Sequence, residues 1–380
     1  MESSSLPRLL FDASETCADL LYVSGFRAGD PFLWLQRPGE RPLLVVSELE
    51  IGRALKQAHQ NQDILSFGDF RELAGFSRDN RTVALSRLVA AYALAHDCKT
   101  WSVPGNFPLR FARKLEEGGL QLVVAEGDFC PERARKSPQE IEAVRKALRI
   151  TEAGLARGIE VLKQSEIGTD GLLHWQGDIL RAETLRGEID CEIARRGGRA
   201  KDTITAPGRQ AADPHQSGYG PIPANEPVVM DIFPRDSATG YHGDLTRTVV
   251  RGQASEQVRK AYVTVKAAQD KAFSLLKPGA LGCEVHEAVV QYFRDCGYET
   301  CLTGVPYGYF HGTGHGLGLE IHESPSLSTR IETPLVPGNV VTVEPGLYYP
   351  EWGGVRLEDV AAITADGVED LTLAPFELEI

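Results

Sequence analysis

Four segments concentrate the side chains of this chain that can hold a metal or move a proton: 229-VMDIFPRDSATGYHGDLTRTVV-250, 311-HGTGHGLGLEIHE-323, 342-TVEPGLYY-349 and 354-GVRLEDVAAIT-364. Between them they offer Asp231, Asp244, His311, His315, His322, Glu344 and Glu358. Carboxylates with imidazole form a hard, oxygen-rich donor set. Such a set suits Mn²⁺, Co²⁺ or Zn²⁺ in a hydrolytic centre better than a thiolate site would. The pattern points to hydrolysis at two divalent metal ions.

Each donor also has a plainer reading. Asp231 closes an apolar run before a proline, where an aspartate alone is most often a turn or cap residue. Asp244 falls in a second run expected to pair with the first across the 234–240 turn. Two aspartates meeting on adjacent strands repel unless a cation sits between them. The three histidines at 311, 315 and 322 are interleaved with Gly312, Gly314, Gly316 and Gly318. Those glycines forbid a helical HExxH site and mark close backbone approach. Glu344 ends the β-like run 340-VVTVE-344. Arg356 and Glu358 alternate with Val355 and Leu357, which puts them on one strand face. An exposed salt bridge would explain that pair, but Glu358 runs into the apolar 360-VAAIT-364, which predicts a buried strand. A buried glutamate needs a partner, and a metal supplies one.

The elements that must position these groups are legible. Residues up to about 130 read as a small α/β unit. A hairpin is expected from 32-FLWLQ-36 and 43-LLVVS-47, a helix around 83–96, and short strands near 100–103 and 120–124. Nothing in it has catalytic spacing. Ser137-Pro138-Gln139-Glu140 is a capping box with proline at the first helical position. Ile141, Val144, Leu148, Leu155, Ile159 and Leu162 then recur at helical period, so a long amphipathic helix opens a second domain. This divides the chain into domains 1–133 and 137–380. Arg133, Arg135 and Lys136 just before the helix read as a solvated linker face. Two helix–turn–helix units, the second closing at Gly297 and each followed by glycine-rich strands, form a faint internal echo.

Composition sets the broad class. A chain of 380 residues is long for one core, so two domains are the default. A net charge of −13 argues against nucleic acid and anionic membrane as partners. No apolar run approaches the roughly 20 residues of a membrane helix, and MESSSLPRLLF lacks the flank and core of a secretory signal. Seven scattered cysteines without a CxxC pair suit a reduced, cytoplasmic protein.

The order Asp231, Asp244, His315, Glu344, Glu358 resembles the pita-bread metallopeptidases (family M24), which include aminopeptidase P, prolidase and methionine aminopeptidase. The matching phrases are Asp…Gly-Tyr-x-x-Asp-Leu-Thr-Arg-Thr at 231–248, His-Gly-x-Gly-His-x-x-Gly-Leu at 311–319, Val-Glu-Pro-Gly at 343–346 and Gly-Val-Arg-Leu-Glu-Asp at 354–359. The resemblance implies a two-domain α/β protein: a small creatinase-like N-terminal α/β domain and a C-terminal pseudo-twofold pita-bread (α+β) catalytic domain. Methionine aminopeptidases lack the N-terminal domain, which counts against them.

Carried over by position, Asp244 and Glu358 would bridge two divalent ions, manganese first, with cobalt or zinc as alternatives. Asp231 would complete one ion, and His315 with Glu344 the other. His215, His311 and His322 would be the further active-site histidines, and Arg356 with Thr246 would hold the bridging region. The turn between the two aspartates is slightly longer than in many relatives, which should lengthen a hairpin tip without moving either ligand. A metal pair brings the pKa of water towards ~7 and polarises a carbonyl. His322 or His215 would stabilise the oxyanion, and Glu344 would shuttle the proton to the leaving amine. The resemblance implies cleavage of the Xaa-Pro bond at the N-terminus of dipeptides or short proline-containing peptides, by a homodimer. Arg330 is a candidate grip for a dipeptide carboxylate, and reads equally well as a loop arginine. Two alternatives remain at this level: a same-scaffold enzyme acting on an ectoine-like amide or a sulfonium compound, and a non-catalytic peptide-binding module.

Overall fold

Alternation with apolar residues on both faces builds the N-terminal unit. In Phe32–Gln36, Leu33 and Leu35 face one buried cluster with Leu9, Val45 and Trp101, while Phe32 and Trp34 face another with Leu10, Leu44 and Val46. A strand covered on both faces reads as a continuous apolar run, as 32-FLWLQ and 43-LLVV do. The computed structural model describes residues 6–329 and 332–380. It divides into two compact units, Met1–Pro131 and Glu132–Ile380.

The first unit is one mixed six-stranded sheet in the order Asp63–Ser66, Leu43–Val46, Phe32–Gln36, Arg8–Asp12, Thr100–Val103, Gln121–Val124. The expected hairpin is present, with Leu33 opposite Val45 and Leu35 opposite Leu43. So is the helix expected around 83–96, at Leu85–Ala95.

The second unit opens on the long helix Pro138–Gln164. The Ser137 Oγ accepts from the Glu140 amide, and the Glu140 carboxylate accepts from the Ser137 amide at 2.8 Å. Its apolar stripe packs with the Ala182–Arg195 helix over an antiparallel sheet of Ile204–Pro207, Pro227–Ile232 and Leu245–Val250. The second half repeats the plan. The helices Glu256–Leu275 and Gly282–Asp295 share a core with strands Val340–Val343, Gly346–Tyr349, Gly353–Arg356 and Asp359–Ile363.

Three expectations need correction. Of the face expected to be solvated, Arg135 is exposed, but Arg133 and Lys136 are withdrawn. Lys136 is buried with Nζ 2.6 Å from Glu323 Oε1, Arg133 pairs with Glu320 and Glu323, and Arg135 donates to the Pro337 carbonyl. Arg356 and Glu358 do not lie on one regular strand: one strand ends at Arg356, the next begins at Asp359, and the two belong to different sheets. The long turn between Asp231 and Asp244 is more than a tip, because Arg235 and Asp236 form a short ladder with Gly198 and Arg199. Arg330 lies outside the described residues.

Candidate metal centre

The sequence-derived candidates converge on one cavity of about 360 Å³, lined by His215, Asp231, Asp244, His311, His315, His322, Glu344, Arg356 and Glu358. Strand periodicity delivers the first. In Pro227–Ile232, Met230 and Ile232 point into the apolar core and Asp231 points the other way, opposite Thr246 across the ladder. Asp244 stands just ahead of the Leu245–Val250 strand and is 3% exposed. Glu344 follows the strand Val340–Val343, and Glu358 sits in the two-residue break before Asp359.

His315 occupies the centre of Gly314–Gly316. A Cβ on Gly314 would overlap the Thr342 carbonyl, and one on Gly316 would overlap the Glu323 carbonyl, so glycine on either side lets neighbouring chains close on the histidine. Thr342 serves both halves of the site: its hydroxyl accepts from the His315 amide at 3.0 Å and donates to Glu344 Oε1 at 3.1 Å.

The electrostatics identify what this arrangement lacks. Burial, then the charges of Glu358, Asp231 and Glu344, push the Asp244 carboxyl well above the usual carboxylate range. Burial, then Glu344 and Asp231, does the same to Glu358, and burial raises Glu344. Burial also lowers the His311, His315 and His322 imidazoles, favouring their neutral forms. His315 Nδ1 lies 3.1 Å from the Gly316 carbonyl, which can only accept, so the ring proton belongs on Nδ1. The Nε2 lone pair then faces Glu344 Oε1 at 3.2 Å and Asp244 Oδ2 at 3.6 Å. Facing lone pairs at that range are relieved by a proton or a metal ion between them, and burial disfavours the protonated imidazole. Donor atoms of Asp244, His315 and Glu358 lie within 4.8 Å of one another. Asp231 Oδ1 is buried without a hydrogen-bond partner among the described residues. The residues fit divalent cations.

Arg356 braces this set. Its guanidinium donates to Asp231 Oδ2 at 2.7 Å, to Thr246 Oγ1 at 3.2 Å and to the Tyr348 hydroxyl at 2.9 Å. Thr246 in turn donates to Glu358 Oε2 at 2.6 Å. Tyr348 carried no expectation from the sequence, although it belongs here. Its hydroxyl, pushed up to about 12 by burial, lies 2.9 Å from His311 Nε2. The signal was the period of Gly346–Tyr349, which turns Tyr348 to the same side as Gly346 just after Glu344. Ile204, Phe233 and Ile321 add an apolar wall that no motif marked.

The profile of metallopeptidase family M24 matches residues 142–365. The Xaa-Pro dipeptidase of Pyrococcus furiosus is 29% identical over 343 residues, 90% of this chain and 87% of that protein. The probable dipeptidase PepE of Mycobacterium tuberculosis is 34% identical over 367 residues, 95% of this chain and 89% of that protein. Among solved structures, the prolidase of Pyrococcus furiosus superposes with a TM-score of 0.79 at 25% identity, covering 98% of both chains. The X-Pro aminopeptidase of Thermotoga maritima gives 0.82 at 22% identity, covering 99% of this chain and 98% of that one, a likeness of fold. The fold is the two-domain pita-bread fold of the prolidases, and the chain belongs to metallopeptidase family M24.

Proposed function

We propose that this chain is a metal-dependent Xaa-Pro dipeptidase acting through two divalent cations held by Asp231, Asp244, His315, Glu344 and Glu358. The observation that carries the reading is the cluster of mutually facing acceptors around His315 Nε2, within a family whose relatives are named Xaa-Pro dipeptidases. Asp244, Glu358 and His315, whose donor atoms lie within 4.8 Å of one another, would hold the ions together with Asp231 and Glu344. When bound, the ions supply an activated water and a Lewis acid for the scissile carbonyl.

The protein's own groups do the rest. His322 or His215 donates to the carbonyl oxygen as negative charge develops there. His311 is held by Tyr348, whose hydroxyl also accepts from Arg356. Glu344 carries a proton towards the departing nitrogen. That nitrogen is proline's, part of a tertiary amide with no N–H of its own, so a site that recognises an N–H there has nothing to grip. Manganese as the native metal, a homodimer and a cytoplasmic location complete the reading; among the described residues none of the seven cysteines forms a disulfide, in keeping with a reducing compartment.

Turnover of an Xaa-Pro dipeptide series, with Xaa-Pro-Yaa tripeptides alongside, tests this in Mn²⁺, Co²⁺ and Zn²⁺. Asp244→Ala is the control. Dipeptide cleavage that requires metal and Asp244 is expected. Absence of Xaa-Pro cleavage by metal-loaded wild type would overturn the reading. Arg330→Ala should weaken dipeptides more than tripeptides, and an equal loss on both rejects its part in holding a free carboxylate.

A further inference from the structure

We propose that the buried Lys136–Glu323 pair is a positioning device for His322, holding the imidazole where substrate meets it. The inference rests on the reading above, in which His322 faces the substrate. Lys136 Nζ lies 2.6 Å from Glu323 Oε1, with side-chain exposures of 1% and 7%. The other Glu323 oxygen pairs with Arg133, which also reaches Glu320 at 2.8 Å. Both side chains are withdrawn from solvent, Lys136 almost completely, and Glu323 closes the histidine- and glycine-rich segment 311–323.

Stability does not account for it. A buried ion pair roughly cancels its own desolvation cost, and apolar replacements of similar volume are often neutral or better. Its placement says more. Glu323 begins the strand Glu323–Leu327 and directly follows His322. His322 lies in the bend just ahead of that strand and shares a peptide unit with Glu323, so a backbone rotation that freed the carboxylate from Lys136 would swing the imidazole as well. The His322 ring meets His315 edge to face at 4.3 Å, so its orientation bears on the candidate ligand beside it.

The surroundings are built for the clamp. A Cβ at Gly318 would collide with the Glu323 carboxylate and lie 3.1 Å from Lys136 Cε, so glycine leaves the room both side chains occupy. The Gly318 carbonyl accepts from the His242 amide at 2.8 Å, tying this corner to the segment that carries Asp244. The Lys136 amide donates to the Gly338 carbonyl at 2.7 Å, on the approach to the strand that ends before Glu344. Lys136 thus meets the chain on two sides, at Glu323 beside His322 and at Gly338 on the approach to Glu344.

The test uses the full chain carrying Lys136→Met with Glu323→Met, which removes the pair and leaves Arg133 with Glu320. In metal-free protein labelled with ¹³C at histidine, the His322 resonance, identified by its loss in His322→Ala, should shift. With metal and an Xaa-Pro dipeptide, kcat should fall by about tenfold or more while KM stays within about twofold. In the His322→Ala background the same change should alter kcat by less than about twofold, because the two act through one group. Should the double variant not fold, the isosteric Glu323→Gln is read the same way. An unmoved His322 resonance in a folded variant overturns the proposal, as does an equal loss of kcat in the His322→Ala background. If wild type cleaves no Xaa-Pro dipeptide, the functional reading fails, and the resonance still decides whether the pair positions His322.

Discussion

The two units bury different things. Among the described residues, the buried polar side chains of the N-terminal unit are serines and one amide: Ser14, Ser24, Gln62, Ser66, Ser86 and Ser102. The second unit buries Lys136, Asp236, Asp244, Arg247, Arg356, Glu358 and Asp359. A hydroxyl is satisfied by a backbone hydrogen bond, as Ser24 shows by donating to the Leu20 carbonyl, and an amide left short, as Gln62 is at Oε1, carries no charge. Buried carboxylates without a cation raise one another's pKa and cost stability. Arg247 settles one of them, donating to Asp359 Oδ1 at 2.7 Å. Arg356 settles Asp231, and no protein cation is within salt-bridge distance of Asp244, Glu344 or Glu358 among the described residues. A fold keeps such an imbalance where something else supplies the charge.

The sharpest way to break this contrast is a matched pair of substitutions. Asp244→Ala should lower kcat/KM for an Xaa-Pro dipeptide by roughly a thousandfold, since several kcal/mol of charge stabilisation go with it. Leu33→Ala, at a fully buried position of the N-terminal sheet, should cost about 2–5 kcal/mol in denaturant unfolding and change kcat/KM little at a temperature where the protein is folded. Similar kinetic losses in both would dissolve the distinction. Next in size, Arg356→Lys should reduce kcat/KM by about 10–100-fold, because an ammonium cannot reproduce the three-way fork to Asp231, Thr246 and Tyr348.

The smallest effect has the most telling sign. In metal-free protein Asp244→Asn removes one of several facing carboxylate charges, so its melting temperature should equal or exceed that of wild type. Added Mn²⁺ should reverse the order by stabilising wild type more. A metal-free variant that melts clearly lower would mean the repulsion is already relieved within the protein.

How far the sequence revealed all this depended on range. Asp231, alternating with Met230 and Ile232, and the capping box at Ser137 are local patterns, and they were readable. Glu358 was readable as a buried acid because apolar residues follow it, but its strand break was not: the switch from the Gly346–Tyr349 partner to the Val340–Val343 partner happens between Arg356 and Asp359, and nothing local signals it. Lys136 looked like a solvated lysine since its partner, Glu323, is far along the chain. Tyr348 likewise acquires its role only when His311 and Arg356 fold against it.

The ladder that sets Asp231 opposite Thr246 has a consequence for quality control during folding. A slip of one residue would drive that carboxylate into the oily layer behind the sheet and hand its place to a methionine or isoleucine side chain. Misassembly therefore betrays itself energetically before any peptide arrives. An inactive register of this strand is also an unstable one, so chains that persist are chains with the acid facing the right way.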